Sequence, residues 1–490
     1  MNILFVVPEL TPIIKVGGLG DVAGALPKAL VRLGHDVRIV VPDYGSIDHQ
    51  RYPSRRQWDN LSVRWCGQTV RLRIDVGALP DSSVPVYYLV CPEIFVQPNV
   101  GGVYLEKSGG QERVLEMQRF IFFSWAVAQL VPELPWQPTI IHCHDWTAAT
   151  IPTLLTLRPA VAKKYATVLT IHNLQNQGVW SPSDVWAWLG LRGDEHPWLG
   201  LRDHLGNFNA LQQGIHAADA VNTVSPQYAK EILTPEYGER LETDLLERPG
   251  GVRGILNGLD IEEFDPATDK ALARTYTTSS VIEGKRANRL ALAQRLHLPA
   301  QGPLYGFIGR LTPQKGIDLL LGCVADIVRA GGQLIILGSG LPEIEAHLQQ
   351  LNGRYPRHIR AVLGFDAGLA QTIYAASDFF LMPSSFEPCG LGQLIAMRYG
   401  ALPIVRDTGG LHDTVVDLRQ HPHRGTGFVF AAYDPAALRG VIEESLRLYH
   451  QPDTVQAAIL RAMYQDFSWT TSARAYHDLY GQTIRHVSAS

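Results

Sequence analysis

Short apolar runs that alternate with helix-like stretches constrain the fold of this chain most strongly. The run "ILFVV" at residues 3–7 is followed by the helix-like stretch "DVAGALPKALVRLG" at 21–34 and by the run "VRIVVPD" at 37–43. Such alternation predicts β-α-β units, whose successive strands lie side by side in a parallel sheet. The N-terminal part of the chain is therefore predicted to be an α/β domain.

The same pattern continues in two series. The first series contains the further runs "TIIHCHD" (139–145), "YATVLTIHN" (165–173) and "ADAVNTVSP" (218–226). The second series contains "GPLYGFIGRL" (302–311), "GQLIILGSG" (332–340), "IRAVLGF" (359–365), "DFFLMPSS" (378–385) and "ALPIVRDTGG" (401–410), with helix-like stretches at 316–332 and 390–400. Because 490 residues exceed the usual size of one domain, two doubly wound domains in tandem are predicted.

Proline and glycine accumulate in "ERPGGVRGILNGLD" at residues 247–260, between the two series. Such residues punctuate regular structure, so the domain boundary is expected there. The predicted domains are an N-terminal Rossmann-like domain at 1–250 and a C-terminal one at 251–465. The tail at 466–490 has apolar residues at helical spacing, and we expect it to pack back on the N-terminal domain.

Composition and charge exclude several classes of function. The formal net charge is -4, which provides no global field for binding nucleic acid or an anionic membrane. The five cysteines are dispersed and form no C-x-x-C pair, a pattern typical of a reducing compartment. The N-terminus lacks a basic leader, and no apolar run in the sequence approaches membrane-spanning length. A cytoplasmic protein is predicted, in which any phosphate site is local.

A glycine-rich stretch, "TPIIKVGGLG" at residues 11–20, follows the first predicted strand. Residues 18–23 fit the relaxed dinucleotide fingerprint, and Asp43 lies at about the right distance for a ribose-binding carboxylate. The approach from the strand is too long for that fingerprint, however, and Asp21 stands where a Walker loop needs lysine. Two interpretations remain open: a phosphate-binding loop, or a plain turn with Lys15 in solvent.

Charged residues recur at strand ends in the second series. Arg310 and Lys315 lie in one loop, five residues apart, where a guanidinium fork and an ammonium could converge on a diphosphate; a solvated loop is the alternative. Glu387 precedes a helix that is expected to begin near residues 389–391, and helix starts attract anions. Gly410 lies before another predicted helix. Because ligands bind at the carboxyl ends of parallel strands, these residues are candidates for a nucleotide site.

Several motifs together carry a resemblance to a known family. They are Lys15-Val-Gly-Gly-Leu19, His142-Cys-His-Asp-Trp146, Thr170-Ile-His-Asn173, Asn257-Gly-Leu-Asp260, Gly309-Arg310 with Lys315-Gly316, Phe386-Glu-Pro-Cys-Gly-Leu391 and Thr408-Gly-Gly-Leu411. With these motifs the chain resembles the bacterial glycogen synthases and plant starch synthases almost from end to end. The resemblance implies the GT-B fold: two Rossmann-like doubly wound domains that face each other across a cleft.

The resemblance also implies a reaction. Glucose passes from ADP-glucose to the non-reducing end of an α-1,4-glucan or maltooligosaccharide, with retention of configuration and with no metal or other cofactor. The implied catalytic residues are Lys15, Asp145, His172, Arg310, Lys315 and Glu387. The implied substrate-binding residues are Gly17, Gly18, Asn257, Gly364, Cys389, Gly390, Leu391 and Gly410.

By the same resemblance, the charge that gathers on the departing diphosphate is stabilised by Arg310 and Lys315. Glu387 binds glucose hydroxyls, while Asp145 and His172 lie close to the reacting sugar. The Lys15 loop is expected to approach the donor's distal phosphate and glucose, which would resolve the two interpretations of the glycine-rich stretch in favour of phosphate binding.

Some positions depart from the family pattern. Gly392 replaces a usual threonine, Asn176 replaces a tyrosine, and Ser385, Ile395 and Asp407 differ from the commonest bacterial residues. These departures bear on donor preference and acceptor length and leave the reaction class unchanged.

Some of these residues also allow other interpretations. His142, His144 and Asp145 could bind a metal, although buried hydrogen-bonded histidines are favoured because no further ligand stands at suggestive spacing. Cys389 could be a reactive thiol, but the family pattern favours a packing or backbone-contact position. The rival functions are a GT-B transferase that uses UDP-glucose or a short acceptor, and a catalytically silent glucan-binding or scaffold protein.

Overall fold

The computed structural model describes residues 1–96, 102–105, 110–162, 164–192 and 200–489. The chain folds into two compact units. The first unit contains Met1–Gly258 and the C-terminal segment from Trp469 onward, and the second contains Leu259–Ser468.

The described residues of the first unit form a sheet of nine strands in the order β11-β10-β7-β6-β1-β2-β5-β4-β3 and a separate antiparallel sheet of two strands, β8 and β9. The strands are β1 (Asn2–Val6), β2 (Asp36–Pro42), β3 (Arg55–Trp65), β4 (Gln68–Ala78), β5 (Pro85–Val90), β6 (Ile140–His144), β7 (Ala166–Ile171), β8 (Val179–Trp180), β9 (Phe208–Asn209), β10 (Ala220–Thr223) and β11 (Val252–Gly254).

This sheet is parallel from β11 to β5, and its remaining edge is antiparallel. The antiparallel edge was not predicted. Strands β3 and β4 are joined by Cys66 and Gly67 alone, which both have positive φ angles, 50° and 73°. Two residues with positive φ are the favoured connection of a tight hairpin, so the local turn fixes the antiparallel direction.

Helices cover both faces of the first sheet. Those of the N-terminal segment are α1 (Gly18–Arg32), α2 (Pro92–Phe95), α3 (Gly110–Leu130), α4 (Ile151–Thr156), α5 (Pro159–Ala162), α6 (Pro182–Leu189), α7 (Ala210–Ala217), α8 (Pro226–Glu231) and α9 (Glu242–Glu247). One hydrophobic cluster lies on each face, with Leu4 in one and Phe5 in the other, as the alternation of side chains along β1 requires.

The stretch Glu112–Glu133, which includes most of α3, is long and apolar enough to cross a membrane, with a mean hydropathy of 1.2. The prediction that no apolar run approaches this length was wrong. In the most apolar part of this stretch, 67% of the residues are buried inside the protein, as expected for a core helix.

In the second unit, the described residues form a wholly parallel sheet of six strands in the order β14-β13-β12-β15-β16-β17. The strands are β12 (Leu304–Ile308), β13 (Gln333–Gly338), β14 (Ile359–Leu363), β15 (Phe379–Met382), β16 (Leu402–Arg406) and β17 (Phe428–Phe430). The helices are α10 (Val281–Leu296), α11 (Ile317–Arg329), α12 (Pro342–Arg354), α13 (Ala367–Ala376), α14 (Gly392–Arg398), α15 (Gly409–Thr414), α16 (Pro435–Tyr449) and α17 (Pro452–Met463).

The terminal helix α18 (Trp469–Ala489) belongs to the first unit, where it lies against α1 and β7. At its start, Trp469 packs on Gly258, where an added Cβ would lie 2.7 Å from the Trp469 Cα. Strand β11 also pairs within the first sheet, so the second unit begins later than the predicted residue 251. The described division falls at Gly258–Leu259 and at Ser468–Trp469.

Candidate functional site

The loop after β1 folds around a buried carboxylate. Glu9 is 2% exposed, and its Oε2 accepts hydrogen bonds from the backbone N–H groups of Val16 (2.6 Å) and Gly17 (2.7 Å). Burial raises the pKa of Glu9, although these hydrogen bonds act in the opposite direction. The N–H of Gly17 therefore has a partner within the protein, and Glu9, which the sequence analysis missed, shapes the loop.

Lys15 and Gly18 lie in the same loop. The Lys15 ammonium forms an ion pair with Asp21 Oδ1 at 2.6 Å, and its side chain is 45% exposed. Asp21 stands in the first turn of α1, where the helix dipole favours a carboxylate. An added Cβ on Gly18 would meet no atom within 4 Å, so the space beside this glycine is open.

Asp145 and His172 follow the ends of the neighbouring strands β6 and β7, and the structure brings them into contact. Asp145 Oδ1 accepts the backbone N–H groups of His172 (2.6 Å) and Asn173 (3.3 Å). Asp145 has a φ of 55°, a left-handed conformation that is uncommon outside glycine and is found disproportionately at functional sites.

Burial shifts the pKa values of Asp145 and His172 in opposite directions. It raises the pKa of Asp145 to about 7, with the backbone hydrogen bonds opposing this shift, and it lowers the pKa of His172 to about 3. At neutral pH the imidazole is therefore uncharged, while the carboxyl group titrates in the neutral range.

Tyr104 belongs to the same cluster of charges. Burial first, and then the carboxylates of Glu9 and Asp145, raise the pKa of Tyr104 well above its ordinary value. The phenol therefore keeps its proton and can donate a hydrogen bond. The sequence analysis missed Tyr104, and no local motif distinguishes it.

Asn257 lies near the end of the first unit's main segment, beside Gly258. Its side chain is buried, and its Oδ1 has no hydrogen-bond partner within the described structure. An unpartnered buried acceptor is costly, so this oxygen is suited to accept a hydrogen bond from a ligand.

In the second unit, the loop after β12 carries Arg310 and Lys315, and the structure does not bring these two cations onto one partner. Arg310 Nη2 donates to Gln314 Oε1 at 2.9 Å on the exposed surface. Lys315 Nζ instead donates to Glu387 Oε2 at 2.7 Å. Ser384 Oγ donates to the same carboxylate oxygen at 3.0 Å. The predicted phosphate-binding lysine and the predicted sugar-binding carboxylate thus form a direct ion pair.

The loop after β15 contacts the start of α15 through backbone atoms. The N–H of Gly410 donates to the Glu387 carbonyl at 3.1 Å, and an added Cβ on Gly410 would lie 2.1 Å from the Cys389 carbonyl oxygen. Glycine is required by this close approach. Gly390 has a φ of 76°, and the Gln393 amide donates to the carbonyls of Cys389 and Gly390 at 3.1 and 3.0 Å.

Helix α14 begins at Gly392, with Leu391 as its N-cap, next to the predicted start near residues 389–391. The positive φ of Gly390 prevents an earlier start, because a left-handed residue cannot belong to a right-handed helix. Cys389, Gly390 and Leu391 therefore form the loop before the helix.

Gly364 follows β14 and has a φ of 113°. The next residue, Phe365, is 89% exposed, more than the other exposed large apolar side chains of the described structure. An aromatic face held in solvent beside a predicted ligand-binding glycine is a candidate contact surface. The sequence analysis missed Phe365, although its place at the carboxyl end of an apolar run was a usable signal.

The departure at Gly392 has a packing explanation. An added Cβ would lie 3.1 Å from Met382 Sδ and 3.1 Å from Phe380 Cε1, so a threonine would press against both side chains. Of the other departures, Asp407 accepts a hydrogen bond from His412 Nδ1 at 2.6 Å. Nothing in the structure explains Asn176.

Gly316, directly after Lys315, is predicted to be intolerant of alanine. It has a φ of 71°, and an added Cβ would lie 1.9 Å from the Pro383 carbonyl oxygen. The Gly316→Ala variant should lose at least about 2 kcal/mol of unfolding free energy, from backbone strain and the clash together. Gly331→Ala is the matched control, because Gly331 has a φ of 72° with nothing within 4 Å, and it should lose only about 1 kcal/mol. Equal losses in urea unfolding would contradict the assignment of a clash.

Comparison with known proteins first defines the class. Residues 288–459 match the family model described as "Glycosyl transferases group 1". The sucrose-phosphate synthase of Thermosynechococcus elongatus has the same fold, with a TM-score of 0.59 at 18% identity over 99% of both chains. Two Rossmann-like domains with polar clusters at the carboxyl ends of their strands, together with these matches, define a GT-B glycosyltransferase.

Closer relatives define the family. Residues 2–247 match the model described as "Starch synthase catalytic domain". Glycogen synthases of Moorella thermoacetica and Exiguobacterium sibiricum are 42% and 41% identical to this chain, over 100% and 98% of it and 98% of each relative. The catalytic domain of starch synthase IV from Arabidopsis thaliana, solved with ADP and acarbose bound, matches with a TM-score of 0.89 at 33% identity over 99% of both chains. The chain belongs to the glycogen and starch synthase family of glucosyltransferases, which confirms the resemblance seen in the sequence.

Proposed function

We propose that this protein is a glycogen synthase that transfers glucose from ADP-glucose to the non-reducing end of an α-1,4-glucan with retention of configuration. The observation that carries the proposal is the Lys315–Glu387 pair, a cation and a carboxylate held 2.7 Å apart at the carboxyl end of the second sheet. The cation can bind the diphosphate of the donor, and the carboxylate can accept hydrogen bonds from sugar hydroxyls. The full-length similarity to enzymes named glycogen synthase supports the same reaction.

In this reaction the bond between glucose C1 and the donor phosphate oxygen breaks, and its electron pair remains on the diphosphate. Lys315 and Arg310 stabilise this developing charge. The acceptor's 4-hydroxyl oxygen bonds to C1, and its proton passes to the departing phosphate on the same face of the sugar. Glu387 holds glucose hydroxyls during this exchange. The protein needs no metal or cofactor under this proposal, because its own cations perform the electrostatic work.

We assign the residues of the first unit to the transferred glucose and to the glucan. The carboxylate of Asp145 offsets positive charge that develops at C1, and neutral His172 donates a hydrogen bond to a sugar oxygen. Tyr104, Asn257 and the Lys15 loop supply further polar contacts. The binding of acarbose and ADP by the related starch synthase IV supports a glucan and an adenine nucleotide as ligands.

Phe365 is assigned to stacking on the adenine base. Replacement by alanine should raise the KM for ADP-glucose about tenfold, because stacking of a base on an aromatic side chain contributes about 1–3 kcal/mol. Stability should be unchanged, since Phe365 is 89% exposed. Tyr464→Ala is the matched control, an exposed aromatic (69%) of the same unit for which no role is proposed. An unchanged KM in the Phe365 variant would contradict the stacking role.

The proposed setting is the cytoplasm, without nucleic-acid or membrane partners. The five cysteines are all free thiols, and four of them are buried. Thiols that remain unpaired favour a reducing compartment.

Initial rates test the proposal directly. ADP-glucose and UDP-glucose are each supplied with glycogen, with maltooligosaccharides and without an acceptor. We expect transfer from ADP-glucose to a glucan, at a rate well above that from UDP-glucose. Equal or greater rates with UDP-glucose would overturn the donor assignment. No transfer from either donor by folded protein would favour a silent glucan-binding protein.

A further inference from the structure

Two tyrosines of α18 lie at the ends of a buried chain of hydrogen bonds that runs across the central strands of the first sheet. Tyr480 and His142 are joined at 2.8 Å, from the hydroxyl to Nδ1, and His142 Nε2 lies 2.6 Å from Thr170 Oγ1. Thr170 donates to Asn222 Oδ1 at 2.8 Å, and the Asn222 amide donates to the Tyr476 hydroxyl at 3.1 Å. The five side chains are almost wholly shielded from solvent, so these hydrogen bonds fix the orientation of His142.

The same hydrogen bonds also fix the tautomer of His142. The Thr170 hydroxyl donates its hydrogen to Asn222, so its oxygen must accept from His142. His142 Nε2 therefore carries the hydrogen, and its Nδ1 accepts from Tyr480. Burial lowers the pKa of His142 well below its ordinary value, in agreement with a neutral ring.

His142 packs on His144, two residues further along β6. Their ring centroids are 4.1 Å apart, and Phe5 stacks on His144 at 5.1 Å. Packed against both of these rings, His144 places its Nδ1 2.9 Å from His172 Nε2. The fixed ring of His142 therefore helps to hold His144 in its contact with His172.

The other nitrogen of His144 indicates the direction of that contact. His144 Nε2 is buried and has no hydrogen-bond partner within the described structure. Burial keeps the ring neutral by lowering its pKa well below the ordinary value, so one nitrogen carries a hydrogen. A buried N–H without a partner is rarer and costlier than a buried acceptor without one, so the hydrogen belongs on Nδ1, where it donates to His172 Nε2. His144 is therefore the donor, and His172 carries its own hydrogen on Nδ1.

We propose that His144 is a positioning residue that fixes the tautomer of His172, so that His172 presents Nδ1–H as a donor to an oxygen of the transferred sugar. This inference rests on the proposed function for the identity of that sugar. The tautomer itself is a property of the free protein.

Two variants separate this role from simple packing. Asparagine places an amide N–H near the position of histidine Nδ1, so His144→Asn keeps the donor, whereas His144→Leu fills the space without one. We expect kcat to fall about 10- to 100-fold in the leucine variant, the usual effect of losing a partner that orients a site residue. The KM for ADP-glucose should change little, and the asparagine variant should recover most of the lost kcat.

The tautomer is measured without any substrate. Long-range ¹H–¹⁵N spectra of protein labelled with ¹⁵N-histidine distinguish protonated from unprotonated ring nitrogens, and a His172→Asn variant assigns the signal. We expect His172 to be protonated on Nδ1 in the wild type and to lose this preference in His144→Leu.

Protonation of His172 on Nε2 in the wild type would overturn the inference, as would full kcat in His144→Leu. Equal losses of kcat in the asparagine and leucine variants, with normal thermal unfolding of both, would also overturn it. If the wild type shows the expected tautomer but transfers no glucose from ADP-glucose, the proposed function fails while the assignment of the tautomer stands.

Discussion

Replacement of Lys315 by alanine should reduce kcat for glucose transfer by about 10³-fold while the protein remains folded. The Lys315 ammonium lies 2.7 Å from the buried carboxylate of Glu387 and balances its negative charge. The Lys315 side chain is 23% exposed, so an anion can approach it from solvent. Under the proposed mechanism the same ammonium meets the charge that develops on the leaving diphosphate. Removal of one such donor from a preorganised site typically costs about 10²–10³-fold in kcat.

The ion pair complicates this test, and a second variant resolves it. Without Lys315, the Glu387 carboxylate is left buried without its cation, which destabilises the fold. The double variant Lys315→Met with Glu387→Gln removes both charges, so it should regain stability in urea unfolding without regaining activity. Arg295→Ala is a matched control, because it removes the exposed Arg295–Asp366 pair of the same unit. Turnover by Lys315→Ala within about tenfold of the wild type would contradict the assigned role.

The strands that could be predicted from sequence contain short runs rich in apolar and β-branched residues. β6 (IIHCH) and β7 (ATVLTI) are buried at every residue, so they need no alternation of polar and apolar positions. Strand β3 could not be recognised in this way, because most of its side chains are exposed and its sequence shows neither a run nor a clean alternation. Its place in the sheet depends on the two-residue turn at Cys66 and Gly67.

The places of the site residues could be predicted, but their partners could not. Strand ends locate Lys315 and Glu387, which are far apart in sequence, at the same edge of the sheet. Rotamers and neighbours such as Ser384 decide whether the two side chains turn toward a ligand or toward each other. The spacing of residues in the sequence specifies neither. The roles assigned to individual site residues remain predictions.

The glycine-rich loop has internal partners that its local sequence does not record. Its pattern suggests N–H groups that face a phosphate, but the groups of Val16 and Gly17 face the carboxylate of Glu9. Glu9 stands in "PEL", shortly after the first strand, and an acid at that position is a sequence signal for a carboxylate that binds the loop. A buried carboxylate can satisfy the same N–H groups as a phosphate.

Replacement of Asp145 by asparagine should reduce kcat by about 10²-fold or more. Asparagine keeps an oxygen that can accept the N–H groups of His172 and Asn173, so the loop should retain its conformation. The variant lacks only the negative charge that is proposed to stabilise the sugar cation in the transition state, a loss of the order found for single electrostatic groups. A fall of less than about threefold would remove Asp145 from the proposed mechanism.

The pH dependence provides an independent check on Asp145. Because the pKa of Asp145 in the folded protein without substrate is about 7, wild-type kcat/KM should rise as the pH increases from 6 to 8, whereas the residual kcat/KM of the asparagine variant should not show this rise.

Stability should change in the opposite direction. Between the ordinary pKa of 3.8 and about 7, the folded state holds a proton that the unfolded state has released, so the wild type loses unfolding free energy as the pH rises through this window. Below 3.8 both states are protonated, and above about 7 both are ionised. The asparagine variant lacks this titration, so its stability relative to the wild type should increase from pH 4 to pH 7 and then level off. A constant difference between the two proteins in urea unfolding across that range would show that burial does not raise the pKa of Asp145, and the expected rise in kcat/KM would then need another source.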